Sequence, residues 1–280
     1  MLKNIKPLIY FAAVAVMVLY LTSSVINSAR LVSDFEKNVV GKTFQPEGTA
    51  LEVSEYDGLA RQSWIIKAER SIGSSDLNTI KAFEVEGIVL DESDKPKIKV
   101  DSSQALLNRE SWKTILQGDT LVEIVQANLK MQADRFLIEK DKPFEALGKV
   151  KLLLSEDGKK HINAERALIG QKLDDLVMYG VEESPISEGM TVKGKVMNFD
   201  FADNKPRRIV VTNDVVVRSK STTCSAGQME ITLNAAGKPT IAIFTGNPVA
   251  YQNGNRISAD RIEYIVSTGA VKAVGNVRTS

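Results

Sequence analysis

Charged residues recur at equivalent places along this chain. Asp134, Glu165 and Asp260 are each followed by an arginine (Arg135, Arg166 and Arg261), and Arg70 holds the same place in an earlier stretch. Such a series could serve as a ladder for an ionic ligand. On a strand, however, every second side chain faces water, and cross-strand charge pairs there contribute roughly a few tenths of a kcal/mol each. The wet face of a sheet is therefore the expectation for these residues. His161 is the only histidine and stands beside a turn, so a Ser-His-Asp triad or a histidine-rich metal site would rest on it alone. Cys224 is the only cysteine, which excludes a disulfide within the chain and reads as a small buried apolar residue. Gly41-Lys42-Thr43 resembles the end of a phosphate-binding loop, but Glu36 stands where that loop needs its first glycine. The residues predict no catalytic group, no metal site and no cofactor, and hence no enzyme.

The charges follow a repeat. A small residue with an apolar residue two places before it returns seven times, at Ala68, Ser102, Ala133, Ala164, Gly194, Ala226 and Ala259. A second marker follows each: Gly87, Gly118, Gly148, Gly180, Asn213, Gly246 and Gly275. A period near 31 residues means one supersecondary unit copied along an axis, with neighbouring units sharing a core. Each unit holds two runs of strand-forming residues. Turn signals separate them within units, as at Asn108–Lys113 and Ala235–Pro239, and between units, as at Gln126–Asn128 and Ser184–Glu188.

Apolar alternation changes phase just after each anchor, for example from Met131 and Ala133 to Phe136 and Ile138. A phase change in a period-2 pattern implies a bulge or bend, so each strand is expected to turn a corner there. The fold expected is all-β: an elongated, V-shaped antiparallel β-jellyroll of roughly 14 strands, with an apolar interior between its two faces. A parallel β-helix is the competing architecture; two strands and two turns per unit fit hairpins better.

The N-terminus reads differently. Leu8–Leu21 is apolar without interruption and Val25 and Ile26 extend it, a span of 19 residues, or about 29 Å as a helix. A cleaved signal peptide is the alternative, but Asn27-Ser28-Ala29 matches A-x-A poorly. The expected organisation is a transmembrane anchor at 1–27, a linker with a short amphipathic helix at 28–49, and the seven-repeat domain at 50–280. The formal net charge is +1, from 36 basic and 35 acidic residues, which offers no footprint for nucleic acid.

The stretch Phe244–Ser280 carries Gly246-Asn247-Pro248, Ile257-Ser258-Ala259-Asp260 and Gly275-Asn276-Val277 in that order. This resembles the OstA-like repeats of the LptC/LptA/OstA lipopolysaccharide-transport family. Tyr56-Asp57-Gly58 followed by Trp64-Ile65-Ile66-Lys67-Ala68, together with the N-terminal span, looks like the LptC branch of that family. The resemblance implies a single-pass protein of the bacterial inner membrane with its β-jellyroll in the periplasm. It implies docking to the LptB-LptF-LptG ABC transporter and transfer of lipopolysaccharide to an LptA-like protein.

Such a role needs grease, not catalysis. Leaving a twelve-carbon acyl chain in water costs about 10 kcal/mol, at about 0.8 kcal/mol per CH₂. Ile138, Ile169, Phe199, Phe201, Ile231 and Tyr264 are the residues expected to face a lipid-binding furrow, although filling a closed core would ask for the same types. The sequence reaches Ser280 inside a strand pattern, with no proline or charged tail to protect an edge. Val271, Ala273, Gly275 and Val277 are therefore expected to form an edge for strand addition by a partner. A membrane-anchored β-rod that binds proteins without carrying lipid is the other reading; a carbohydrate-active enzyme would need a carboxylate cluster at one level of the stack.

Overall fold

The computed structural model describes residues 48–56, 62–74, 78–91, 93–111, 113–139, 142–155, 158–170, 175–187, 189–202, 205–235, 237–252 and 254–280. The expected membrane anchor and nearly all of the expected linker lie outside them. Among the described residues, no helix is long and apolar enough to cross a membrane.

The described residues fold as strands: β1 (Gly48–Tyr56), β2 (Gln62–Gly73), β3 (Thr79–Leu90), β4 (Pro96–Asn108), β5 (Lys113–Ile124), β6 (Leu129–Glu139), β7 (Phe144–Leu153), β8 (His161–Ile169), β9 (Asp175–Ser187), β10 (Met190–Ala202), β11 (Lys205–Arg218), β12 (Thr222–Leu233), β13 (Pro239–Thr245), β14 (Val249–Gln252), β15 (Asn255–Ser258), β16 (Arg261–Ile265), β17 (Ala270–Val274) and β18 (Arg278–Thr279). Every pairing is antiparallel. From β1 to β12 each strand pairs with the next, as a meander. β12 then forks: β13, β16 and β17 continue one branch and β14, β15 and β18 the other. The first and last strands do not pair with each other, so the sheet is open rather than a barrel, and parallel coils are ruled out.

Among the described residues the strand count is 18, against the expected 14. Two causes account for the difference. β1 precedes the first repeat, and the last three strands are each broken in two at the corner, at Gly246-Asn247, Ala259-Asp260 and Gly275-Asn276. The expected turn at Ser184–Glu188 also shifts: β9 runs on to Ser187 and β10 begins at Met190. Elsewhere the turn residues act through their side chains. The Asp91 carboxylate accepts from the Ser93 and Lys95 amides at 2.8 and 3.0 Å, which holds its pKa below the ordinary value. Asn108 and Asn234 accept from the amides of Ser111 and Lys238 in the same way.

The corner lies where the alternation changes phase. The register slips at Gln132/Arg135 in β6 against β7, at Leu147/Val150 in β7 against β8, and at Lys193/Val196 in β10 against β11. One strand of each pair carries the small anchor. Its neighbour passes the corner in the left-handed region: Gly118-Asp119, Gly148-Lys149, Asn213-Asp214, Gly246-Asn247 and Gly275-Asn276 all have positive φ at both residues. Gly87 departs from its marker role. It sits mid-strand under Trp64, and Glu84, at φ 51°, makes the corner of β3.

The two arms on either side of the corner fold toward each other and bury one core from Trp64 to Ile262. The first arm holds residues such as Ile66, Val100, Met131, Ile162, Val192 and Cys224; the second holds Ala82, Leu116, Phe136, Ala167, Met197 and Phe244. At the corner there is no room to spare: a Cβ on Gly194 would lie 2.3 Å from Val211 Cγ1. On the opposite face of the second arm, Leu106, Ile115 and Leu137 form a separate apolar cluster with Leu147.

Two outcomes test this packing. Gly194→Ala should destabilise the protein by about 1–3 kcal/mol through overpacking. In combination with Val211→Ala it should cost less than the sum of the two single changes in denaturant titrations. Burial pushes the Cys224 thiol up to about 12, so native protein should resist alkylation at pH 8 and react fully once unfolded, as mass spectrometry would show.

Candidate functional site

The interior of the second arm gathers the apolar residues singled out in the sequence. Cross-strand pairing runs Ile169–Leu176–Phe199–Ile209–Ile231–Ala242–Tyr264–Val271, one row along the long axis. Ile169, Phe199, Ile231 and Tyr264 thus lie on a single line. Ile138 pairs with Thr114 nearer the other end, and Phe201 lies two residues beyond Phe199, with ring centroids 6.5 Å apart. Ile169, Phe199 and Ile231 are buried, whereas Ile138, Phe201 and Tyr264 are partly exposed and pack on the core from its margin. The row thus combines sealed residues with accessible ones.

A small recess lies at the end where the strands break. Val217, Cys224 and Ala250 from the first arm and Phe244, Ile262, Tyr264 and Val271 from the second line a narrow apolar recess at that end. The exposed large hydrophobics of the described residues, Ile241, Tyr251, Ile265, Val274 and Val277, all lie in this same region. Of the expected edge residues, Val271 and Ala273 pair inward with Tyr264 and Ile262, Gly275 forms the corner, and Val277 is exposed. β17 pairs only with β16 and β18 only with β15, so among the described residues their outer sides carry no strand.

The recurrent carboxylates sit on the corner. Asp134 lies over Gly148, Glu165 over Gly180 and Asp260 over Gly275, each so close that a Cβ on the glycine would meet the acid side chain. Asn276 Nδ2 donates to both Asp260 oxygens at 3.2 and 2.9 Å. Their neighbours are local. Arg70 lies over the Phe83 ring at 5.2 Å, and Arg261 pairs with Glu263 at 2.8 Å.

Arg166 corrects the expectation of a wet face. It is only 12% exposed and pairs with Glu145, 10% exposed, at 2.5 Å from Nε to Oε1. Its guanidinium also lies over the Tyr179 ring at 5.4 Å. Spacing could not reveal this, because Glu145 belongs to the neighbouring strand. More exposed networks hold the outside. The Glu183 pKa is lowered by hydrogen bonds from the Thr191 hydroxyl and the Arg218 guanidinium. Arg208 bridges Glu230 and Asp200, which raises its own pKa and lowers that of Glu230. His161 Nδ1 lies 2.9 Å from the Gly158 carbonyl and serves the turn before β8. Among the described residues, no three His, Cys, Asp or Glu side chains converge to hold a metal ion.

Comparison with known proteins gives the arrangement a context. The family described as LptA/(LptD N-terminal domain) LPS transport protein matches residues 99–270, more than half of the chain. No curated protein matches. Among solved structures, the chain is similar to LptH of Pseudomonas aeruginosa, the LptA-homologous periplasmic component of its lipopolysaccharide transport device. The identity is 12% and the TM-score 0.21, over 65% of this chain and 93% of that one. A match over more than half of its length places the chain: it belongs to the LptA/(LptD N-terminal domain) family of LPS transport proteins.

Proposed function

We propose that this protein is the LptC-like member of a lipopolysaccharide export path. The N-terminal apolar span anchors it in the inner membrane, and the β-jellyroll stands in the periplasm. It takes lipopolysaccharide from an LptB-LptF-LptG transporter and passes it to an LptA-like protein. It carries no catalytic role; the work comes from the transporter. The observation that carries this reading is the apolar row of Ile169, Phe199, Ile231 and Tyr264, which leads to a recess at the end with unpaired strand edges. An amphiphile entering that row keeps its acyl chains out of water while its sugars stay wet. The exposed hydrophobics around β13–β18 suit a second protein continuing both branches of the sheet.

The packing itself favours a second reading. Phe136, Phe199 and Phe244 are fully buried, as in a core that is already full. A rod that only binds partner proteins would look like this.

Photo-crosslinkers separate the two readings. Placed at Ile138, Ile169, Phe199, Phe201, Ile231 and Tyr264 in cells, they should capture lipopolysaccharide, most at the partly exposed Ile138, Phe201 and Tyr264. A blank at all six positions would leave the scaffold reading standing. Deleting residues 270–280 should abolish pairing with the LptA-like partner in pull-downs while membrane retention and strand content by circular dichroism persist. Unchanged pairing would remove the edge from the proposal.

A further inference from the structure

Successive strands of the meander are laddered on both sides of the corner. β7 and β8 pair from Phe144↔Ile169 through to Leu153↔His161, and β9 and β10 pair from Asp175↔Asp200 to Ser187↔Met190. β8 and β9 differ: their ladder holds Arg166↔Tyr179 to Ile169↔Leu176, all on the second arm. Among the described residues this is the one junction from β1 to β12 where an arm lacks its ladder. On the first arm, the Asn163 amide donates instead to Ser184 Oγ at 2.9 Å, and that hydroxyl donates on to the Glu182 carbonyl at 2.8 Å. A buried serine hydroxyl takes the place of a backbone ladder bond.

The cause lies in β9. Its register against β10 shifts twice on this arm, between Met190 and Thr191 and again between Val192 and Gly194. Each extra residue bends and twists a strand away from its neighbour. Pro185, between the two shifts, brings no amide to a ladder. The second arm is reinforced at the same level: the Glu145–Arg166 pair and the Arg166–Tyr179 contact span β7, β8 and β9.

We propose that this junction is a hinge with one stiff side and one loose side. The blocks β1–β8 and β9–β18 pivot about the second-arm ladder and part on the first arm. Parting opens a lateral slot into the interior beside Ile162, Val181 and Ile186, all buried in the closed form. The device goes beyond the transport reading, and its test needs no lipid, so the two stand or fall separately.

Hydrogen exchange on the full-length chain in detergent tests it. The Asn163 amide should exchange at least about tenfold faster than the slowest amides of Arg166–Ile169, because a side-chain bridge opens more readily than a ladder. Ser184→Ala should speed it further and Ser184→Thr, which keeps the hydroxyl, should not. In parallel, Ile162→Cys beside the slot should label with a small maleimide at least about tenfold faster than Val122→Cys, which is buried away from it. Equal protection of the two arms in the unsubstituted protein, or equal labelling of the two cysteines, would overturn the hinge.

Discussion

The fold depends on one steric exchange at the corner. A strand that turns a corner must give up ladder hydrogen bonds and bring two backbones close together. Here one strand contributes a residue with a small side chain, and its neighbour contributes one or two residues in the left-handed region. For Gly148, whose φ is 71°, that conformation is free of the Cβ penalty; Asn213 and Asp214 tolerate it through their short polar side chains. Where a ladder bond is lost, a hydroxyl substitutes: Ser102 Oγ lies 2.9 Å from the Gln104 carbonyl and 2.8 Å from Thr120 Oγ1. Without this exchange the strands would run straight and no interior would exist.

The corner was legible because it imposes side-chain size and conformation at fixed intervals. Met131, Ala133, Phe136 and Ile138 announce both the turn and the phase change after it. Strand order was legible too, because short turns leave a meander few alternatives. Gly87 misled, since a glycine beneath Trp64 looks the same in sequence as one at a corner. The breaks in the last three strands left no mark of their own, because Gly246-Asn247 reads like Gly148-Lys149 and whether the ladder bridges such a pair depends on the neighbours. The buried Arg166 and the missing β8–β9 ladder were hidden for the same reason. Both arise between strands, whereas periodicity reports on one strand at a time.

The interior is graded rather than uniform. Small residues such as Ala82, Ala146, Ala167 and Ala242 sit fully buried in the second arm, while larger residues toward the arm's tip are only partly covered. Apart from the shielded Glu145–Arg166 pair, charged pairs such as Lys195–Asp214 on the corner and the Arg208 network on the second arm are solvent-facing and order the surface without entering the core. Stability and accessibility are thereby assigned to different depths of one sandwich.

The division of the last strands has a mechanical consequence. Through β12 both arms belong to the same continuous strands, so their pitch is locked together. Beyond it, β13, β16 and β17 form one ribbon and β14, β15 and β18 another, each with its own twist. The two ribbons can then turn relative to each other without transmitting torsion back into the stack, much as a universal joint couples two misaligned shafts.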